Sequence, residues 1–451
     1  MKKSHQIAWT IAPVLVASGW GALPVGAQPS LAPPPGPVAL SMRFGPRTEI
    51  RSLPYTIVAP GSYYLGASLT QTGPGTGITI NSSNVTLDLM GFSIIGAGFA
   101  GDDGIGFGPA PIYENITIHD GMIVGWGGNG IDASGAAATA TQMHISGITA
   151  DSNVGAGISV GSRSIVRNCI ANENGAAGFV AAENCKLTNC VATLNLADGI
   201  VTLANCHISD SIASSNTVNG MIVGPNSTVV GSTAGSNGDN GFVLTLAVRM
   251  TDCTASQNGA GSGGGDGFFA TGDACILGGC AAFNNFDHGF SSVPPMLPGS
   301  SVHDCIAELN GFGTGAGDGF NWFRSVEQCT AINNASDGIE VATGGHVFRN
   351  TCNSNSVAGI AAIADGNVIE FNNVSFNGAT GIVTVANPGP GGNYIAGNRA
   401  HHNGYIPPAP FVAQYAFGPF DTFAPISPAG APVPGALVFA PSFGGNANIT
   451  Y

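Results

Sequence analysis

Seven polar residues stand directly before a glycine along the middle of the chain: Asp198, Asn219, Asn240, Asp266, His288, Asp318 and Asp337. If the segments that carry them stack in register, neighbours in this column lie about 5 Å apart, the carboxylate separation with which a retaining glycosidase works. Asp318 and Asp337 are then the sharpest catalytic candidates. Asp266 and His288 stand beside them in the column, and Trp322, Arg324 and Glu340 are close in sequence as substrate-contacting groups. Stacked carboxylates equally suit Ca²⁺, and an indole suits the apolar face of a sugar ring. The same residue types are also the ordinary formers of a tight turn before glycine, and a turn that repeats produces a column without any chemistry. No metal site is assigned, because the chain has no Cys-x2-Cys pair and its histidines are scattered apart from His401-His402.

What must position these residues is a repeat. A glycine followed by Ile, Phe or Met recurs from Gly104-Ile105 to Gly381-Ile382, most often 21 residues apart. Four residues before most of these glycines stands an asparagine: Asn153, Asn174, Asn195, Asn216, Asn237, Asn285, Asn334, Asn355 and Asn377. Asn258 and Asn310 join the column once a five-residue insertion is allowed. The spacing predicts coils stacked so that each asparagine sits in the same left-handed bend and bonds its equivalent one coil away. A third column, Cys169, Cys190, Ser211, Ser232, Cys253, Cys280, Cys305 and Cys329, reads as small groups facing inward, with Cys185, Cys206 and Cys275 in a parallel one. Buried free thiols explain that regularity better than a disulfide framework, although neighbouring coils bring such pairs within bridging range. Between these marks the apolar runs are short, alternating and rich in Val, Ile and Thr, which is strand periodicity.

Composition limits the partners. Only 8% of the 451 residues are charged and the net charge is −14, so no basic face exists for nucleic acid or an anionic membrane. Lys2 and Lys3 precede an apolar run broken by Pro13, and Val25-Gly-Ala27 offers a cleavage site, which predicts an export signal over 1–27 and a secreted, periplasmic or cell-surface destination. A Pro-rich linker over 28–46 follows. No later run is long enough to span a membrane.

The asparagine column, the Gly-Ile/Phe starts and the coil size resemble the right-handed parallel β-helix superfamily typified by pectate lyases. The stretch Leu53 to Leu65, with Ile78-Thr-Ile80 and Val85 to Gly91, is similar to the N-terminal cap and first coils of secreted bacterial members without an assigned activity. The resemblance implies an all-β solenoid, with a cap and first coils over 47–100, repeats over 101–403 and a C-terminal cap or tail over 404–451. It does not carry the family's chemistry: the basic cluster of a uronate lyase and the ordered motifs of polygalacturonases and alginate epimerases are missing.

Three insertions, Gly259 to Gly265, Ser291 to Gly299 and Gly311 to Gly317, fall in consecutive coils, where they would wall a cleft around residues 266–340. A column of apolar residues, Val180, Val201, Ile222, Val243 and Phe269, is expected to face outward. Two functions remain open: a non-catalytic exported protein binding carbohydrate or a cell-envelope component along its solenoid face, or a polysaccharide-active enzyme, either a glycoside hydrolase or a Ca²⁺-dependent lyase.

Overall fold

The structure is a computed structural model that describes residues 47–109, 112–133, 139–261, 263–293, 299–312, 315–384, 392–404, 415–417, 421–423, 426–428 and 448–450. The expected export signal and linker, and most of the tail, lie outside the described residues. From Pro46 onward the chain forms one unit.

That unit is a right-handed parallel β-helix built entirely of short strands, with no helix among the described residues. Two parallel sheets run its length, one of 32 strands and one of 16, so a typical coil gives two strands to the first and one to the second. Register is constant: Phe179 pairs with Ile200, Ile200 with Met221, and Met221 with Phe242. From Ile158–Val160 onward each three-residue strand of the smaller sheet buries its first and third residues, which is why the marker glycine is followed by Ile, Phe or Met. Four of these residues, Phe242, Phe268, Phe290 and Phe320, stack with centroids 5.0, 4.7 and 4.9 Å apart in the core. The solenoid pairing begins at Arg47–Ile50, which adds to Gly61–Leu65. In the tail, Tyr415–Ala416 adds to Ile382–Thr384 and Asn448–Thr450 to Arg399–His401, so these described pieces continue the pairing over the last coils.

Asn153 through Asn377, continued by Asn403, form one buried ladder. In each coil the next asparagine's Oδ1 accepts both the backbone N–H and the side-chain amide of the one before, as Asn258 Oδ1 does from Asn237 at 3.1 and 2.9 Å. One expectation needs correcting. The ladder asparagines do not themselves take the left-handed conformation; the residue just before does, with φ from 53° at Glu173 to 58° at Leu309. Asparagine is required for its two-sided amide, whereas the bend falls on a solvent-facing neighbour. The marker glycines follow from the same crowding: a Cβ on Gly178 would lie 2.8 Å from Asn195 Nδ2 and from the Gly199 carbonyl oxygen.

All ten cysteines are free and buried. The cysteine and serine column continues as a second asparagine ladder, Asn350, Asn372 and Asn398, entered where the Cys329 N–H donates to Asn350 Oδ1 at 2.8 Å. Their spacings of 21, 22 and 26 residues were the signal in the sequence that could have shown this.

Candidate functional site

The polar column before the glycines is first a turn device. Asp266 Oδ1 accepts the His288 N–H at 3.0 Å, His288 Nδ1 accepts the Asp318 N–H at 2.9 Å, and Asp318 Oδ1 accepts the Asp337 N–H at 2.8 Å. Asp337 Oδ1 in turn accepts the Ala358 N–H at 2.6 Å. Each side chain thus commits one atom to the coil that follows, and Asp198, Asn219 and Asn240 do the same earlier in the chain.

The column becomes a site where the coils change length. The three insertions occupy two different corners. Gly259–Gly265 and Gly311–Gly317 lie between the asparagine ladder and the smaller sheet, two coils apart, and each is pinched at its base by glycines: a Cβ on Gly259 or Gly311 would lie 2.5 Å from the nitrogen of Gly265 or Gly317. The coil between them has no insertion at this corner, and it contributes Asp287 and His288. At the opposite end of the strand, Ser301 follows Phe290 by 11 positions, Ser325 follows Phe320 by only 5, and His346 follows Ile339 by 7. The coil of Phe320 has therefore lost two residues next to one that has gained four. Its strand stops after Asn321, Trp322 turns at φ 62°, and Phe323 drops into the core in the place of a strand residue.

The step between these coils is a cleft of about 310 Å³ lined by Asp266, Phe269, Asp287, His288, Ser291, Ser292, Val293, Asn321 and Trp322. Trp322 Nε1–H donates to Glu340 Oε1 at 2.6 Å, and the Ser292 hydroxyl donates to the Trp322 carbonyl at 2.8 Å, which fixes the indole at the mouth. The Ser291 hydroxyl donates to Asp266, and Asn321 Nδ2 to Asp318 Oδ2 at 2.5 Å. Of the residues expected at a site, Asp266, His288 and Trp322 line the cleft, with Glu340 behind the indole. Asp318 and Asp337 are buried beneath it. Arg324 is not among the lining residues; it belongs to the next corner, where its carbonyl accepts the His346 N–H and its guanidinium approaches Gly344. Asp287, Ser291 and Asn321 were not singled out from the sequence, since only the coil register brings them together.

Burial raises the pKa of Asp266, Asp337 and Glu340. Asp266 is pushed up to about 6, desolvation outweighing the nearby His288 and the Ser291 hydroxyl. Asp337 is pushed up to about 7, by desolvation and then by the adjacent Asp318 and Glu340. Glu340 is raised for the same reasons. Desolvation is the leading cause in all three, and like charge adds to it most at Asp337 and Glu340, so it is Asp337 that holds its proton closest to neutral pH.

The cleft fits a cation poorly. Asp266, Asp287 and His288 offer ligand atoms within 4.8 Å of one another. Because His288 Nδ1 accepts an amide N–H, however, its neutral ring carries the proton on Nε2, and both Asp266 oxygens already accept hydrogen bonds. A second grouping, Asp88, His119 and Asp120, is occupied by Arg47, whose guanidinium sits 2.6 Å from Asp88.

No protein-family description and no curated protein matches the chain. Among solved structures it is similar to the mannuronan C-5 epimerase AlgE4 A-module of Azotobacter vinelandii, at 16% identity over 81% of this chain and 91% of that one, TM-score 0.35. It is similar to pectate lyase Pel9A at 16% identity over 70% and 72%, TM-score 0.34. The tailspike of E. coli bacteriophage HK620, solved with a pentasaccharide, is 12% identical over 81% and 74%, TM-score 0.42. The shared feature is the parallel β-helix. At these identities the likeness is one of architecture, and no residue's role passes from those proteins to this chain.

Proposed function

We propose that this is an exported β-helix protein that binds an uncharged polysaccharide along the outer face of its smaller sheet, with the Asp266–Trp322 cleft as the principal subsite. The observation that carries the reading is Trp322. A large aromatic residue in a left-handed backbone is costly, and here a two-residue shortening of the coil turns the indole into a cleft furnished with carboxylate, hydroxyl and amide groups. An indole beside such groups is the pairing that takes the apolar face and the hydroxyls of a pyranose. The half-covered stripe of Val180, Val201, Ile222, Val243 and Phe269 runs in register to the cleft and extends the contact surface. Acidic lining and the absence of Lys and Arg from the lining residues argue against a uronate polymer, and with it against lyase chemistry. Export rests on the N-terminal sequence, and a cell-envelope glycan is the partner that export would meet.

The test is binding of a panel of neutral and uronic polysaccharides by the purified protein and by Trp322→Ala. A neutral polymer should retain the wild type, and the variant should bind about five- to tenfold more weakly, since a lost aromatic contact on a sugar is worth about 1–1.5 kcal/mol. Retention only on uronic polymers, or equal binding by the variant, would defeat the reading.

The proton held by Asp337 favours a second reading, hydrolysis of a neutral glycan with a carboxylic acid of the 318–340 group as proton donor. New reducing ends that vanish in Asp337→Asn while binding persists would establish it; binding without products excludes it.

A further inference from the structure

We propose that the coils spanning residues 346–402 carry a second saccharide platform, on the larger sheet, built from Phe348, Phe371 and Phe376. Each regular coil passes through positive φ at three residues. In the two columns that precede the cysteine column and the asparagine ladder most positions hold glycine or polar residues such as Asn189, Asp210, Ser215 and Ser236, with Leu194 and Leu309 as apolar exceptions. Near the C-terminal end each of these columns carries one phenylalanine, Phe371 at φ 56° and Phe376 at φ 57°, and the two residues are 42% and 55% exposed. A bulky side chain there strains the backbone, and an exposed ring recovers little burial in return. Nothing in the turn itself calls for either ring.

The rings are organised. Phe348 stacks on His346 at 5.5 Å between centroids, Phe371 meets Phe348 edge to face at 5.9 Å, and Phe376 stacks on His402 at 5.1 Å. Arg349 lies 4.8 Å over the Phe348 ring. Gly397 leaves the room in which the Phe371 ring lies, for a Cβ there would come within 2.6 Å of it. Asn372 and the three-residue strand Asn373–Ser375 separate Phe371 from Phe376, five residue steps or at most about 16 Å, so a single extended chain spans both.

The charges around the rings cancel. Glu327 and Glu370 flank Phe348 in its column, while Arg349 and Arg399 stand on the adjoining positions. Such a surface draws no polyanion, but it offers ring faces to C–H groups and charged donors and acceptors to hydroxyls, which is the chemistry of an uncharged pyranose chain. The platform belongs to a different sheet from the Trp322 cleft and does not depend on it.

The test uses the full chain in gels containing galactomannan, xyloglucan or dextran, with polygalacturonate as the anionic control. The variants are Phe371→Asn/Phe376→Asn, Trp322→Ala and the triple combination. The Phe variants should bind the retarding neutral polymer about tenfold more weakly or worse. Because asparagine suits a left-handed bend, their thermal midpoint should stay level or rise. The triple variant should lose the retardation that Trp322→Ala leaves. Retardation of the Phe double variant equal to wild type overturns the platform and leaves the cleft standing. A fall in thermal midpoint overturns it by making the rings packing elements. Failure of all three neutral polymers to retard the wild type, or retardation by polygalacturonate alone, also overturns it.

Discussion

Asn258 shows how much one side chain can hold in this fold. Its Oδ1 takes two donors from Asn237, and its Nδ2 donates to the Ala234 carbonyl and to Asn285 Oδ1. Asn258→Ala leaves those groups buried without partners and should cost about 2–4 kcal/mol, read as a lowered thermal midpoint. Asp337 works in the opposite sense. Its folded value of about 7 lies above the ordinary 3.8, so the folded state holds the proton more tightly than the unfolded one. The stabilisation is complete below about pH 4, falls as pH rises, and is gone above about pH 7. Asp337→Asn should therefore flatten the decline in thermal midpoint between pH 5 and pH 8 and be more stable than wild type at pH 8, by up to about 4 kcal/mol. Asparagine keeps the acceptor for the Ala358 N–H, so the turn survives.

At the scale of the element, the corner loops are separable from the coil. In the described coils the regular corner carries two residues between the ladder asparagine and the polar residue before the glycine, as in Asn334-Ala-Ser-Asp337. Removing residues 312–316 restores that length by joining Gly311 to Gly317, whose backbones already touch. The deletion should leave thermal stability within about 1 kcal/mol, because closing a short surface loop changes little entropy. If the loop walls the cleft, polymer binding should fall in the same protein. The shortened corner at Trp322 is the converse: it cannot be lengthened without returning Phe323 to a strand and the indole to a turn.

The whole molecule is stabilised by repetition more than by any single contact, and its thiols report on this. All ten are buried, and burial pushes Cys169 up to about 11 and Cys190 up to about 12. A thiol reagent at pH 8 should label none of them in the native protein and all ten in guanidinium, counted by absorbance or mass. The period, the marker glycines, the inward cysteines and the first asparagine ladder were legible in the sequence, because stacked coils demand the same residue at the same place and so write the tertiary contact into the primary repeat. The second ladder was legible only in part, because Asn350 and Asn372 continue a column that cysteine and serine had occupied, three side chains that all accept a hydrogen bond from the coil before. The site was the least legible. Asp266, His288 and Trp322 could be named from type and spacing, but the inclusion of Asp287, Ser291 and Asn321 and the exclusion of Arg324 depended on one coil lengthening and its neighbour shortening. Sequence periodicity fixes what is common to every coil, whereas a cleft arises from the difference between two coils, and that difference acquires a position only when they are stacked.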